Sequence, residues 1–266
     1  MFLIRLVATR LLLAFALAQI FGLLVGTLFM AQEISVVENP ADPANALRLF
    51  GGILVSTLLL LLILKFYKGD MLFRILEAFL IFSTVDLFFA LVMGEETIAF
   101  WLAIGFLFAR YLFSFLAQAL IIFSTVVVGS LLGSSLDFLP VVLFVVLLAG
   151  YDFVAVFVTK HMVTLAKALE NRKNTLTVGF THKKEKVHLG TGDFVVPVVF
   201  CVSVLKTFGL GPAILSGLGA TFGLAVLLWV MEKRRGYYPA LPPIVLGCLL
   251  GVALSLAAKA VFGSSG

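Results

Sequence analysis

Long, unbroken runs of apolar residues dominate this chain and limit what it can fold into. Of its 266 residues, 62% are hydrophobic and only 12% are charged, whereas soluble domains carry about 25% charged residues. In lipid every backbone polar group needs an internal partner, so only helices or closed barrels span a membrane. Because the runs are continuous rather than alternating, the sequence predicts an all-α polytopic membrane protein.

Nine runs approach the roughly 20 residues that a spanning helix needs. The predicted spans are 8–30, 46–66, 71–93, 96–114, 116–134, 138–158, 190–206, 211–232 and 238–260. Almost no polar sequence separates Arg110 from Gln118, so one long helix there would leave eight spans. We interpret 1–266 as a single membrane domain, with five scaffold spans in 1–136, the motif-bearing spans in 137–266, and a short basic loop at 159–189.

The distribution of basic residues favours nine spans with a cytoplasmic N-terminus and an outer C-terminus. In that topology all but three of the 19 basic residues fall on the inner side, the three being Arg48, Lys206 and Lys259. The positive-inside rule expects this asymmetry. The net charge of +5 is therefore explained by membrane topology, and nucleic-acid binding is disfavoured.

The basic loop at 159–189 contains two patterns. Met162, Leu165, Ala166 and Leu169 have helical spacing, which predicts an amphipathic continuation of span six along the membrane surface. Further on, Leu176, Val178 and Phe180 alternate with smaller residues, which predicts a short strand at 175–180.

Four carboxylates fall within predicted spans, where a charge is costly and marks a candidate functional residue. They are Glu77, Asp86, Asp152 and Asp193. Glu77 lies near the inner end of its span, so we expect a structural role with the side chain snorkelling to the surface. Asp86 lies deeper, and we expect it to pair across helices or to face water.

Asp152 and Asp193 differ because their depths match. Asp152 lies six residues before the inner end of span six, and Asp193 lies three residues into span seven. At ~1.5 Å per residue these depths are roughly 9 Å and 5 Å. Because the two spans are consecutive and antiparallel, we expect the carboxylates to meet.

Two close carboxylates cannot both ionise cheaply, so such a pair shares a proton. The ionised member can take a proton from water while the protonated member donates one to a substrate carbonyl, as in aspartic proteases. A proton relay or cation site of a transporter, and a purely structural pair, remain open on the depth argument alone.

Three short motifs accompany these positions. They are Tyr151-Asp152, the sequence Gly190-Thr191-Gly192-Asp193, and Pro239-Ala240-Leu241 at the start of span nine. In this order and on these spans they resemble the YD, GxGD and PAL motifs of the presenilin and signal peptide peptidase family of GxGD intramembrane aspartyl proteases. The resemblance implies an aspartic endopeptidase in which Asp152 and Asp193 are catalytic and the proline motif lines the active site.

The local chemistry of the motifs agrees with such a site. Gly190 and Gly192 allow the backbone to bend and a substrate to approach closely, whereas Tyr151 points away from Asp152 and is expected to pack nearby. Proline at 239 disfavours regular helix before it. Irregular backbone near Leu189 and Pro239, together with the predicted strand, offers edges to which an extended substrate could add.

Other enzyme classes lack their residues. His161, His182 and His188 all lie in the basic loop without the HExxH spacing of a metalloprotease, and no histidine falls within a span for a serine protease. We expect no metal and no organic cofactor. The remaining rival is an ion or proton-coupled transporter or cation-leak channel that uses the intramembrane aspartates.

The family resemblance also sets expectations about substrates and location. A microbial presenilin homologue would cleave single-span helical membrane substrates or signal-peptide remnants in a microbial plasma membrane. The short inner loop lacks the long insertion at which presenilin is cleaved, so we expect activity from a single chain without accessory subunits. Oligomerisation remains open.

Overall fold

A computed structural model of the chain describes residues 2–66, 71–158, 177–182, 185–233 and 238–262. Nine helices and one hairpin make up the described part. In chain order they are α1 (Phe2–Ala31), α2 (Ala44–Phe66), α3 (Met71–Met93), α4 (Glu96–Leu112), α5 (Ser114–Ser135), α6 (Phe138–Phe157), β1 (Thr177–His182), β2 (Glu185–Gly190), α7 (Thr191–Phe208), α8 (Leu210–Lys233) and α9 (Leu241–Phe262). The predicted all-α membrane architecture is confirmed.

Eight of these helices are long and apolar enough to cross a membrane. The ninth, α4, has 17 residues, or about 26 Å at 1.5 Å per residue, slightly less than the ~30 Å hydrocarbon core. Phe113 separates α4 from α5 with an extended backbone, at φ −122° and ψ 106°. The alternative of one long helix between Arg110 and Gln118 is therefore wrong.

The outer surface of the bundle is apolar. Phe66, Phe115 and Phe222 are each more than 70% exposed, and large aliphatic side chains surround them. Because an exposed apolar surface of this extent needs a non-aqueous neighbour, lipid must cover it. The protein is an integral, multi-pass membrane protein.

Helix α7 lies at the centre of the bundle and contacts α1, α5, α6, α8 and α9. From Val196 to Val204 every one of its residues is buried. A helix that is apolar on all sides is stable only when other helices surround it. The position of α7 therefore fixes the depth of Asp193 in its first turn.

Glycines allow neighbouring helices to approach α7 closely. Gly26 of α1 lies against Val202, where an added methyl group would come 2.6 Å from the valine side chain. On another side, a methyl group on Gly133 of α5 would come 2.6 Å from the carbonyl oxygen of Val199. Small residues at such contacts are the usual means of tight helix packing in lipid.

Helices α8 and α9 meet along a second glycine interface. Gly219 and Gly223 of α8 face Gly247 and the Pro243 carbonyl of α9, with backbone in direct contact with backbone. The spacing of four residues places these glycines on one helix face. This interface positions the start of α9 relative to the rest of the bundle.

The strand predicted at 175–180 is found as β1, at Thr177–His182, and it pairs with a second strand that sequence reasoning missed. Strands β1 and β2 are antiparallel, from Thr177 opposite Gly190 to His182 opposite Glu185. Charged residues dilute the apolar alternation of β2, which hid the strand in the sequence. The predicted amphipathic helix in 159–172 lies outside the described residues.

Glu77 does not snorkel, and that expectation is wrong. It accepts a hydrogen bond from Nε of Arg110 at 3.2 Å and forms an ion pair with the same guanidinium. Both side chains are buried. A planar guanidinium can satisfy a carboxylate in low dielectric where a lone charge could not persist. The pair ties α3 to the end of α4.

Cys201 and Cys248 are buried free thiols.

We predict that Gly219→Ala lowers the free energy of unfolding by about 1–3 kcal/mol, because the added methyl group overlaps the Gly247 carbonyl. Thermal unfolding in detergent measures the effect. Gly211→Ala in the same helix is the matched control, since a methyl group there meets nothing within 4 Å. Equal stability of the two variants would contradict the proposed close contact.

Candidate active site

Asp152 is buried near the end of α6 and bonded to the start of α9. Its side chain is 8% exposed, and its Oδ2 accepts a hydrogen bond from the backbone N–H of Leu241 at 3.0 Å. The backbone of Ala240 also interacts with this carboxylate. The predicted proline motif therefore lies against Asp152.

The sequence explains why this backbone donor is available. Leu241 is the first residue of α9, and the first N–H groups of a helix have no partner within the helix. Pro242 and Pro243 follow, and proline is favoured in a first turn because it has no N–H to satisfy. A carboxylate is the natural partner for the remaining donor at a helix N-terminus.

Asp193 lies in the first turn of α7 and is partly exposed. Its Oδ2 accepts a hydrogen bond from the backbone N–H of Gly190 at 3.1 Å. Gly190 is the residue before the helix, with φ −64° and ψ 148°, and a third-position carboxylate that reaches back to this N–H is a common helix cap. A Cβ at 190 would lie 3.2 Å from Oδ2, so glycine leaves room for this contact.

The other predicted site residues surround Asp193. Leu189 is buried at the end of β2, and Thr191 is partly exposed in the first turn of α7. Gly192 is exposed, and a Cβ there would meet nothing within 4 Å. Open space therefore adjoins Asp193 on the glycine side. Pro239 and Ala240 are both buried and directly precede α9, which begins at Leu241.

The structure brings the two predicted aspartates together. Helices α6 and α7 pack against each other, and Asp152 and Asp193 are close enough to interact electrostatically. Each carboxylate also accepts a hydrogen bond from a backbone N–H at the start of a helix, from Leu241 to Asp152 and from Gly190 to Asp193. The result is a carboxylate pair at one end of the bundle, which we call the aspartate end.

Tyr151 faces α2 rather than Asp193. Its ring lies 6.1 Å from that of Phe50 in an edge-to-face arrangement, and its hydroxyl group is hydrogen-bonded to the side chain of Thr57. Sequence reasoning missed both partners. The only available signal was the polar pair Ser56-Thr57 within an otherwise apolar run.

An open groove runs along α2 on the side of this contact. Its volume is about 430 Å³, and its lining residues are Arg48, Leu49, Gly52, Ile53, Ser56, Thr57 and Leu60. Thr57 both lines the groove and binds Tyr151, which is adjacent to Asp152. The groove therefore lies next to the residue that precedes one of the two aspartates.

A polytopic helical bundle with a carboxylate pair on two adjoining helices defines the class of intramembrane aspartyl proteases. The model of the family described as signal-peptide peptidase, presenilin aspartyl protease, matches residues 12–261. The chain belongs to this family, and it is an enzyme of the aspartic endopeptidase class.

Two solved structures are similar to the chain, each described as a presenilin family intramembrane aspartate protease. The one in space group C222 is 26% identical, with a TM-score of 0.72, and the match covers 94% of this chain and 98% of that one. The one in space group P2 is 25% identical, with a TM-score of 0.68, covering 91% and 96%. No curated protein matches significantly.

We predict that Phe50 and Tyr151 stabilise the protein cooperatively. A double-mutant cycle of Phe50→Ala and Tyr151→Ala should give a coupling energy of about 0.5–1.5 kcal/mol, as edge-to-face aromatic pairs do. Unfolding in detergent measures each variant. The matched cycle uses Phe153→Ala, two residues along α6, and should be additive within about 0.5 kcal/mol; equal coupling in both cycles would refute the contact.

Proposed function

We propose that Asp152 and Asp193 are the catalytic pair of an intramembrane endopeptidase that cleaves single-span helical membrane substrates or signal-peptide remnants. The observation that carries the proposal is that two consecutive helices bring both carboxylates within electrostatic range at one end of the bundle. Membership of the aspartyl protease family supports the same assignment.

The proposed chemistry needs one proton shared by the pair. The ionised carboxylate takes a proton from a water molecule, and the oxygen of that water attacks the scissile carbonyl carbon. The protonated carboxylate donates its proton to the carbonyl oxygen, so a neutral tetrahedral diol forms. As the C–N bond breaks, the newly protonated carboxylate gives its proton to the leaving amine. The other carboxylate takes a proton from a diol hydroxyl, so the pair returns to its starting state.

We propose that the backbone near the aspartates receives the substrate in an extended form. The hairpin ends at Leu189 and Gly190, directly before Asp193, and each of its two strands has one edge unpaired within the hairpin. A substrate segment that adds to such an edge would present its peptide bonds in the extended geometry that hydrolysis requires. Pro239, Ala240 and Leu241 would form the adjoining wall beside Asp152.

The remaining features of the proposal concern topology and setting. The basic residues cluster at the ends of spans on the aspartate side, which supports nine spans, a cytoplasmic N-terminus and an outer C-terminus. Residues 1–136 would then act as scaffold and 137–266 as the catalytic region. A microbial plasma membrane and activity without accessory subunits complete the proposal.

We predict that Asp152→Asn and Asp193→Asn each reduce cleavage of a single-span reporter by about 10²–10⁴-fold, because neither variant can share the proton. The assay uses the purified chain in liposomes with fragments resolved by mass spectrometry. Asp137→Asn is the matched control, since Asp137 pairs with Lys206 at the opposite end of the bundle. Cleavage that survives in either catalytic variant would exclude that residue from the pair.

A second prediction concerns the hairpin. Hydrogen exchange across 177–190 should slow when a transition-state analogue with an extended backbone binds, at amides that are not bonded within the hairpin. The segment 32–43 at the opposite end serves as the internal control and should exchange at an unchanged rate. Identical exchange of the hairpin with and without the inhibitor would contradict strand addition.

A further inference from the structure

Asp86 is a carboxylate within the membrane that has no partner in the described part of the chain. It lies in α3, 15 residues after Met71 and seven before Met93, which places it about 10 Å from the nearer helix end. Its side chain is half-buried, and it makes no hydrogen bond or ion pair with any residue that the structure describes. A carboxylate this short cannot reach water from that depth by snorkelling.

The same helix carries a second carboxylate, Glu77, which does have a partner. Glu77 lies nine residues before Asp86, which at about 100° per residue turns it to the opposite helix face. That face packs inward, where Glu77 is 3% exposed and bonded to Arg110. The protein thus satisfies one α3 carboxylate internally and leaves the other half-buried on the opposite helix face.

Toward the two ends of α3, the helix face that carries Asp86 is apolar and exposed. Ile75, Phe79 and Met93 lie on the same side as Asp86 and are 54%, 69% and 47% exposed. Successive gaps of four, seven and seven residues place Ile75, Phe79, Asp86 and Met93 in one stripe along the helix, which Phe89, half-buried against α4, borders at the level of Asp86. An apolar stripe with one carboxylate suits a docked helix that supplies a hydrogen-bond donor, which lipid tails cannot do.

Two groups of helices leave a lateral gap in the bundle. Helix α2 packs mainly against α6, whereas α3 packs against α4 and α5. Helices α5 and α6 each contact α7, and between these two groups the described residues form no extensive contact. Helix α7, which carries Asp193, lies behind this gap, so a substrate helix that enters between α2 and α3 would reach the aspartate pair.

We propose that Asp86 recognises a basic side chain in the transmembrane helix of the substrate. Charge complementarity selects the occupant, because intramembrane carboxylates are stabilised by cationic partners. Asp86 is about 22 Å from the aspartate end of α3, and Asp152 is about 8 Å from that end of α6. The basic residue therefore lies about ten helical residues from the scissile bond, on the side away from the aspartates. This inference rests on the proposed function.

Paired reporters test the inference in proteoliposomes. Two single-span reporters differ only by Leu or Lys at that position, and the ratio of their kcat/KM values is measured. The wild type should favour the Lys reporter by about threefold to tenfold, the range of intramembrane hydrogen bonds. Asp86→Leu should bring the ratio near one, and Asp86→Lys should favour a reporter that carries Glu instead.

Two controls separate recognition from general damage. Glu77→Gln in the same helix should lower thermal stability but retain the wild-type ratio. Moving the lysine by two residues turns it about 200° around the substrate helix and should remove the preference. A ratio that Asp86→Leu leaves unchanged overturns the inference, as does a change of oligomeric state in that variant, which would assign the face to a second copy of the chain.

A binding measurement separates this inference from the proposed function. The Asp152→Asn variant, labelled in detergent, is titrated with the Leu and Lys transmembrane peptides. Tighter binding of the Lys peptide that disappears with Asp86→Leu supports recognition even if no reporter is cleaved. Equal binding of both peptides refutes it even if cleavage proceeds normally.

Discussion

The burial of α7 on all sides is the constraint on which the rest of the structure depends. Five helices surround it. Glycines such as Gly26 and Gly133 lie so close to α7 that an added methyl group would come 2.6 Å from Val202 or Val199. Lipid offers little hydrophobic force between helices, so close van der Waals packing must supply the stability. Because α7 cannot shift within this packing, the depth and direction of Asp193 are fixed with it.

Both aspartates accept hydrogen bonds from backbone donors at the starts of helices. Asp152 accepts a hydrogen bond from the N–H of Leu241, the first residue of α9. Asp193 accepts one from the N–H of Gly190, the residue before its own helix. The first N–H groups of a helix have no partner within the helix, and in a membrane they need one from the protein. A carboxylate there stabilises the irregular backbone, and the irregular backbone in turn leaves room for an extended substrate.

Sequence reasoning recovered the features that depend on composition and depth. The helices, the matching levels of Asp152 and Asp193, and the presence of a strand near residue 178 all follow from apolar run length and periodicity. The Glu77–Arg110 pair was not predicted. Pairing between α3 and α4 depends on how each helix is rotated about its axis, and the length of an apolar run does not encode that rotation. The contacts of Tyr151 with α2 were missed for the same reason.

The contrast between paired and unpaired polar groups connects stability to function in this bundle. Thr84 and Ser124 satisfy each other between α3 and α5, as Glu77 and Arg110 do between α3 and α4, and such pairs cost little because both members are ordered by packing. Asp86 has no such partner among the described residues, so the folded chain carries its desolvation cost alone. A site that gains a partner only when a helix docks lowers that cost on binding, and the free energy released favours a substrate with the matching charge.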